Sequence, residues 1–220
     1  MTLEIATLLP LVLLGGLVAV DGTGCGQFMI ARPFVAATLG GLIVGDPASG
    51  AAIGLVLEAF HLTVLPVGAS SYPDGGAPAL TVGALFGSGP GGVAAVITSV
   101  VFFLLWSWLA GETVRLMRRT NTPIPARGSL APAELQLRHA RALSVDFVRG
   151  MLLVATGTAV LSLMLLAEQS SWGIGERVPQ LVLEGAVAGL LASGLRLLGG
   201  KPVAFVMGAA GGLILVAIGA

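Results

Sequence analysis

Two glycine- and proline-rich stretches interrupt a sequence otherwise made of long apolar runs, and they constrain the fold more than the runs do. One is Asp21-Gly-Thr-Gly-Cys-Gly-Gln27, and the other is Val67-Gly-Ala-Ser-Ser-Tyr-Pro-Asp-Gly-Gly-Ala-Pro78. Only 10% of the 220 residues are charged and 55% are hydrophobic, with a mean hydropathy of +0.97. Soluble domains carry about 25% charged residues, so this chain lacks the polar surface to face water all round. It reads as an all-α integral membrane protein, a multi-pass one embedded in the lipid bilayer. In hydrocarbon every backbone N–H and C=O needs a partner, and irregular backbone survives only where it is buried in protein or lines a cavity. The two stretches are therefore expected to do one or the other.

The segments around them are short. Leu3 to Val20 is apolar apart from Glu4 and is interrupted by Pro10 and Gly15-Gly16. Arg32-Pro33 restarts a helix, since proline suits a first turn, and Gly45-Asp46-Pro47 stops it. Ala48 to Leu65 follows and ends at Pro66. A membrane span needs about 20 residues, which these segments lack. Residues 1–90 are accordingly expected to form two broken or re-entrant helical hairpins, a transport and substrate region. Residues 91–220 are expected to supply about four transmembrane helices as a scaffold. Gly91 to Gly111 carries Trp106 and Trp108 near one end, as in an interfacial belt. Gly150 to Ala167, extended backward to Val145, Val178 to Leu198 with Glu184, and Pro202 to Ala220 complete the set. No tandem repeat of fixed period is present, and Met1 to Ile5 has no basic region of the kind that opens a cleaved signal peptide.

Of the eleven basic residues, Arg115, Arg118, Arg119, Arg127, Arg138, Arg141 and Arg149 lie in or beside one connection, 115–149. The positive-inside rule places that connection in the cytoplasm, with Glu168 to Arg177 outside and Arg196 and Lys201 inside again. The connection sets topology, touches anionic head groups or docks a cytoplasmic partner; all three readings stay open here. Formal net charge is zero, which gives no reason to expect nucleic acid as a partner. The lone Cys25 excludes an internal disulfide and a multi-cysteine metal site.

Within the apolar segments a few ionisable groups stand out. Glu58 interrupts a run from Ala51 to Phe60, where a carboxylate costs about 2.5–3.5 kcal/mol to insert. It either takes hydroxyls of a neutral polar solute or a coupling cation, or is paired with Arg32 or with amides of a broken helix. Asp74 is a ligand or ordinary turn chemistry between Pro73 and Gly75. Asp46 suits the N-cap of the segment that follows it better than a ligand. Gln27 is a candidate amide ligand, and Arg32 a structural counter-charge. His61 reads as a packing histidine before a proton relay, and His139 as solvated. The glycine-rich Asp21 to Gln27 lacks the lysine of a phosphate loop and its βαβ setting. No catalytic arrangement, metal cluster or cofactor motif emerges.

Arg32-Pro33-Phe-Val-Ala-Ala-Thr-Leu-Gly-Gly-Leu-Ile-Val-Gly45-Asp46 resembles the IIC subunit of the mannose/fructose/sorbose-type phosphotransferase system. The likeness continues through Gly50, Ile53-Gly54, Leu57-Glu58, Val67-Gly68-Ala69 and Pro73-Asp74, and becomes loose beyond Asp74 except at Lys201-Pro202. The resemblance implies a sugar-permease subunit of the bacterial cytoplasmic (inner) membrane. Such a subunit pairs with a IID membrane subunit, and cytoplasmic IIA and IIB phosphocarriers deliver the phosphoryl group to the sugar. It implies sugar contacts at Glu58, Asp74 and the Val67–Ser70 backbone, hence Gly68, Ala69 and Ser70, with Arg32 and Asp46 shaping the hairpins. Met29 stands where the family often has glutamine, Asp21 to Gly26 is unusually glycine-rich for it, and the chain reads as short of part or all of a final helix. A degenerate or regulatory member, a non-transporting scaffold recruiting phosphotransferase proteins, and an ion-coupled secondary carrier remain alternatives, with self-association a further option.

Overall fold

The computed structural model describes residues 4–62, 72–88, 92–121 and 131–171. They form six helices: α1 (Ile5–Thr23), α2 (Pro33–Val44), α3 (Pro47–His61), α4 (Gly76–Gly87), α5 (Val93–Asn121) and α6 (Pro132–Ser171). No strand occurs among the described residues. The stretches Val178 to Leu198 and Pro202 to Ala220, with Arg127, Gly68, Ala69 and Ser70, lie outside them. Three of these helices hold windows long and apolar enough to cross a membrane: Ile5–Thr23, Ala94–Arg119 and Pro132–Ala167. The protein is an all-α membrane protein.

The first expected break is absent. Helix α1 runs unbroken through Pro10 and the glycine pair. Pro10 falls early in the helix, where it removes one hydrogen bond to the Ala6 carbonyl, and the glycines serve packing instead. A Cβ on Gly15 would overlap Val154, and one on Gly16 would meet the Phe147 ring at 2.6 Å. At 19 residues α1 is about 28 Å long, close to the hydrocarbon thickness.

Helices α2, α3 and α4, of 12, 15 and 12 residues, are the short elements. Pro33 and Pro47 open α2 and α3. Gly45, at φ 89°, closes α2 in the left-handed conformation that costs other residues most. Glycines bring backbones together: a Cβ on Gly50 would sit 2.5 Å from the Ala37 carbonyl oxygen, and one on Gly83 would overlap that same oxygen. One on Gly40 would overlap the Leu80 carbonyl. Close glycine-mediated approach is the main route to helix association where lipid removes the hydrophobic drive. Helix α4, whose first turn from Gly76 to Pro78 falls in the stretch expected to be irregular, is buried at every residue from Gly76 to Leu85. It is the central post, packed on α2 and α3 on one side and on α1, α5 and α6 on the other.

Helices α5 and α6 run antiparallel and are longer than the sequence suggested, 29 and 40 residues. They continue into the basic connection, so much of 115–149 is helical, and the described turns of α6 before Leu143 are exposed from Pro132 to Arg141. Trp106 is not an interfacial anchor. Its indole N–H donates to the Leu153 carbonyl at 3.1 Å, which fastens α5 to α6, and within α5 its ring stacks on Phe102 at 5.3 Å. Trp108 is exposed.

Candidate functional site

The helix polarities gather most of the unusual side chains at one level of the bundle. The C-terminal ends of α1 and α3, the N-terminal ends of α2 and α4, and the Ser107–Thr113 and Asp146–Arg149 turns of α5 and α6 meet there. Between them lies a cavity of about 330 Å³ lined by Asp21, Gly22, Gln27, Met29, Ala31, Arg32, His61, Tyr72, Pro73, Asp74 and Gly75. Its size is within the range of small-molecule sites.

The turn from Gly24 to Arg32 roofs part of this cavity. Asp21, at the end of α1, is buried, and its carboxylate accepts from the amides of Phe28 at 2.6 Å and Ala31 at 3.2 Å. These bonds hold Gln27 (φ 52°) and Met29 (φ 66°) in the left-handed region, beside Gly26 at φ 95°. Two non-glycine residues so close together in that region mark stored backbone strain, of the kind that clusters at binding sites. Cys25 lies in the same turn, exposed.

Glu58 has two partners. Its carboxylate accepts from the Phe34 amide at 3.2 Å, capping the start of α2, and pairs with Arg32 Nη1 at 3.4 Å. Both of the bland alternatives drawn from sequence are thus realised together, and Glu58 reaches the cavity only through Arg32, which is half exposed. Asp46 caps α3 through the Ser49 amide at 3.0 Å, and lies away from the cavity. Hydrogen bonds from the Ser49 side chain and then its amide hold the Asp46 carboxyl below its ordinary range. His61 lines the cavity and meets Phe103 edge-on at 6.1 Å.

Asp74 is the junction. Its amide donates to the Ser107 carbonyl at 2.9 Å, and its Oδ1 accepts from the Gly76 amide at 3.3 Å. Its Oδ2 accepts from both terminal nitrogens of Arg149 at 3.1 Å. By sequence Arg149 counts among the basic residues in or beside the 115–149 connection. It is buried within α6, where it also binds Asp146. No reading of the local sequence exposes this pair, since the two residues are 75 positions apart. Tyr72, beside Asp74, carries the Arg118 guanidinium over its ring at 5.8 Å, and its hydroxyl lies 3.4 Å from Arg118 Nη2. The structure therefore brings Gln27, Arg32 and Asp74 to one cavity, sets Glu58 one contact back, and leaves Asp46 outside it. Among the described residues no group of histidine, cysteine and carboxylate side chains is placed to hold a metal ion.

Comparison with known proteins gives concordant findings. A family model described as "PTS system sorbose-specific IIC component" matches residues 5–185. The PTS system sorbose-specific EIIC component of Klebsiella pneumoniae is 29% identical over 190 residues, covering 83% of this chain and 68% of that protein. A solved structure titled "Structure of membrane protein" superposes with a TM-score of 0.68 at 18% identity, over 99% of this chain and 92% of its own, a likeness of fold alone.

Proposed function

Since the chain belongs to the sorbose-specific IIC component family of the phosphotransferase system, we propose that its cavity binds and translocates a hexose-like sugar, which partner IIB phosphorylates. The observation that carries this reading is the convergence of Gln27, Arg32, Tyr72 and Asp74 on one cavity at irregular, strained backbone. A sugar offers several hydroxyls, each donor and acceptor. Asp74 supplies an acceptor, Arg32 donors, Gln27 both, and Tyr72 a flat ring with a hydroxyl. Glu58 is positioned to take a hydroxyl in exchange for Arg32. The Gly68, Ala69 and Ser70 backbone joins the site on the family resemblance.

The same end of the bundle carries Arg115, Arg118 and Arg119 on α5 and Arg138 and Arg141 on α6. By the positive-inside rule this end faces the cytoplasm of a bacterial inner membrane. The cavity then lies toward the compartment that supplies IIA and IIB phosphocarriers, with a IID membrane subunit completing the assembly.

The test is uptake of labelled sorbose, fructose and mannose by cells expressing the chain with its partners. Accumulation should be as sugar phosphate and should depend on phosphoenolpyruvate. Glu58→Gln should abolish it and Asp74→Asn should weaken it with a raised half-saturation, each while leaving insertion and assembly intact. Uptake that survives without IIB and collapses with the membrane gradient would instead establish an ion-coupled carrier.

A further inference from the structure

The sugar reading leaves one buried cation without a task. Arg149 is 8% exposed and lies between two carboxylates, with Nε donating to Asp146 at 2.7 Å and both terminal nitrogens to Asp74. Nη1 also reaches the Thr113 hydroxyl at 3.2 Å and the Ala110 carbonyl at 3.4 Å. Asp146 is in turn hydrogen-bonded by the Thr23 hydroxyl at the end of α1. One guanidinium therefore joins α1, α5 and α6 to the turn that begins α4. Its planar fork holds Asp74 Oδ2 with two N–H groups, an arrangement that lysine, a point charge on a flexible stem, does not reproduce.

Asp74 Oδ1, by contrast, takes only a long bond, from Gly76, among the described residues. A carboxylate oxygen has room for two donors. The carboxylate is thus held by one oxygen from the scaffold, with acceptor capacity left on the other at the cavity edge. Asp146 serves as a second anchor, and it stops Arg149 from swinging fully toward Asp74.

We propose that Arg149 is a positioning residue for sugar binding, orienting the Asp74 carboxylate through its fork while Asp146 and Thr23 brace the guanidinium. This rests on the reading of the cavity as a sugar site. A purely structural ion pair would affect how much folded protein is made, and not how that protein recognises sugar.

The experiment compares Arg149→Lys, Asp74→Asn and the double variant in the assembled system, using whichever hexose of the three the unaltered chain accumulates fastest. Uptake is normalised to inserted protein, and half-saturation is read separately from maximal rate. Arg149→Lys should raise half-saturation about tenfold with little change in maximal rate, the pattern of lost binding. Added to Asp74→Asn, it should cause no further rise, because the two act through one carboxylate. Unchanged half-saturation in Arg149→Lys, with Asp74→Asn impaired, would overturn the positioning role alone. So would effects that simply add. Normal uptake by Asp74→Asn, or no accumulation of any hexose by the unaltered chain, would remove the sugar site and the proposal with it. If Arg149→Lys does not insert, Asp146→Asn takes its place, since it keeps the shape and loosens the brace. It should raise half-saturation in the same direction, and no rise would count against the proposal.

Discussion

Asp21, Asp46, Glu58 and Asp74 each turn an oxygen onto a backbone amide at or just ahead of a helix start. Helix starts carry unpaired N–H groups and the positive end of the helix dipole, so a carboxylate placed there is stabilised without water. Asp46 shows the consequence for pH. Its lowered value means its contribution is complete above the ordinary 3.8 and is lost as pH falls through the native value. Asp46→Asn should keep the cap yet flatten the acid limb of a melting-temperature profile measured in detergent between about pH 2 and 4. Arg149 is the opposite case, since no helix end substitutes for it. Arg149→Gln leaves Asp74 and Asp146 uncompensated in a buried setting and should destabilise the protein by about 3–5 kcal/mol, read as an early thermal transition. The sequence could mark Asp46 because its chemistry is local, held within Gly45-Asp46-Pro47. It could not mark Arg149, whose partner is fixed only once α4 and α6 pack.

Among the elements, α2, α3 and α4 are short because their ends are set by turn chemistry and not by hydropathy. Gly45 ends α2 with open space where its Cβ would be, so Gly45→Ala acts through backbone conformation alone, at about 1–2 kcal/mol. Gly83 sits against the Ala37 carbonyl, so Gly83→Val acts through sterics and should force α2 from α4 at about 1–3 kcal/mol or more. Comparing the two in detergent melts, with Gly45→Asn as a tolerated control, separates the causes: Asn suits the left-handed cap, and no replacement suits Gly83. The stop after α2 was legible, since glycine, aspartate and proline each act on the next few residues. Helix α4 was not. Its Asp-Gly-Gly-Ala-Pro opening reads as a turn, and only burial on all sides makes a helix of it. Pro10 misled in the same direction, because a proline early in a helix costs one hydrogen bond and α6 packing offsets it.

At the scale of the molecule, the short helices α2 and α3 are tied to the long helices α1, α5 and α6 through α4 and the Asp74–Arg149 pair. The membrane character and family were legible from composition and from the run between Arg32 and Asp74. The cavity was not, because it forms where four helix ends and a strained turn coincide. The proposed orientation also makes a physical demand. All the ends that frame the cavity, and the turn holding Cys25, must face the cytoplasm together. Cys25 is the single cysteine of the sequence, and it is exposed. The protein therefore carries its own unique labelling handle in the turn that lines part of the cavity, with no engineered background to remove. A membrane-impermeant maleimide should modify it in inside-out vesicles and spare it in right-side-out ones. Protection by added hexose would turn that same thiol into an occupancy gauge, read by a mass shift on the unaltered chain.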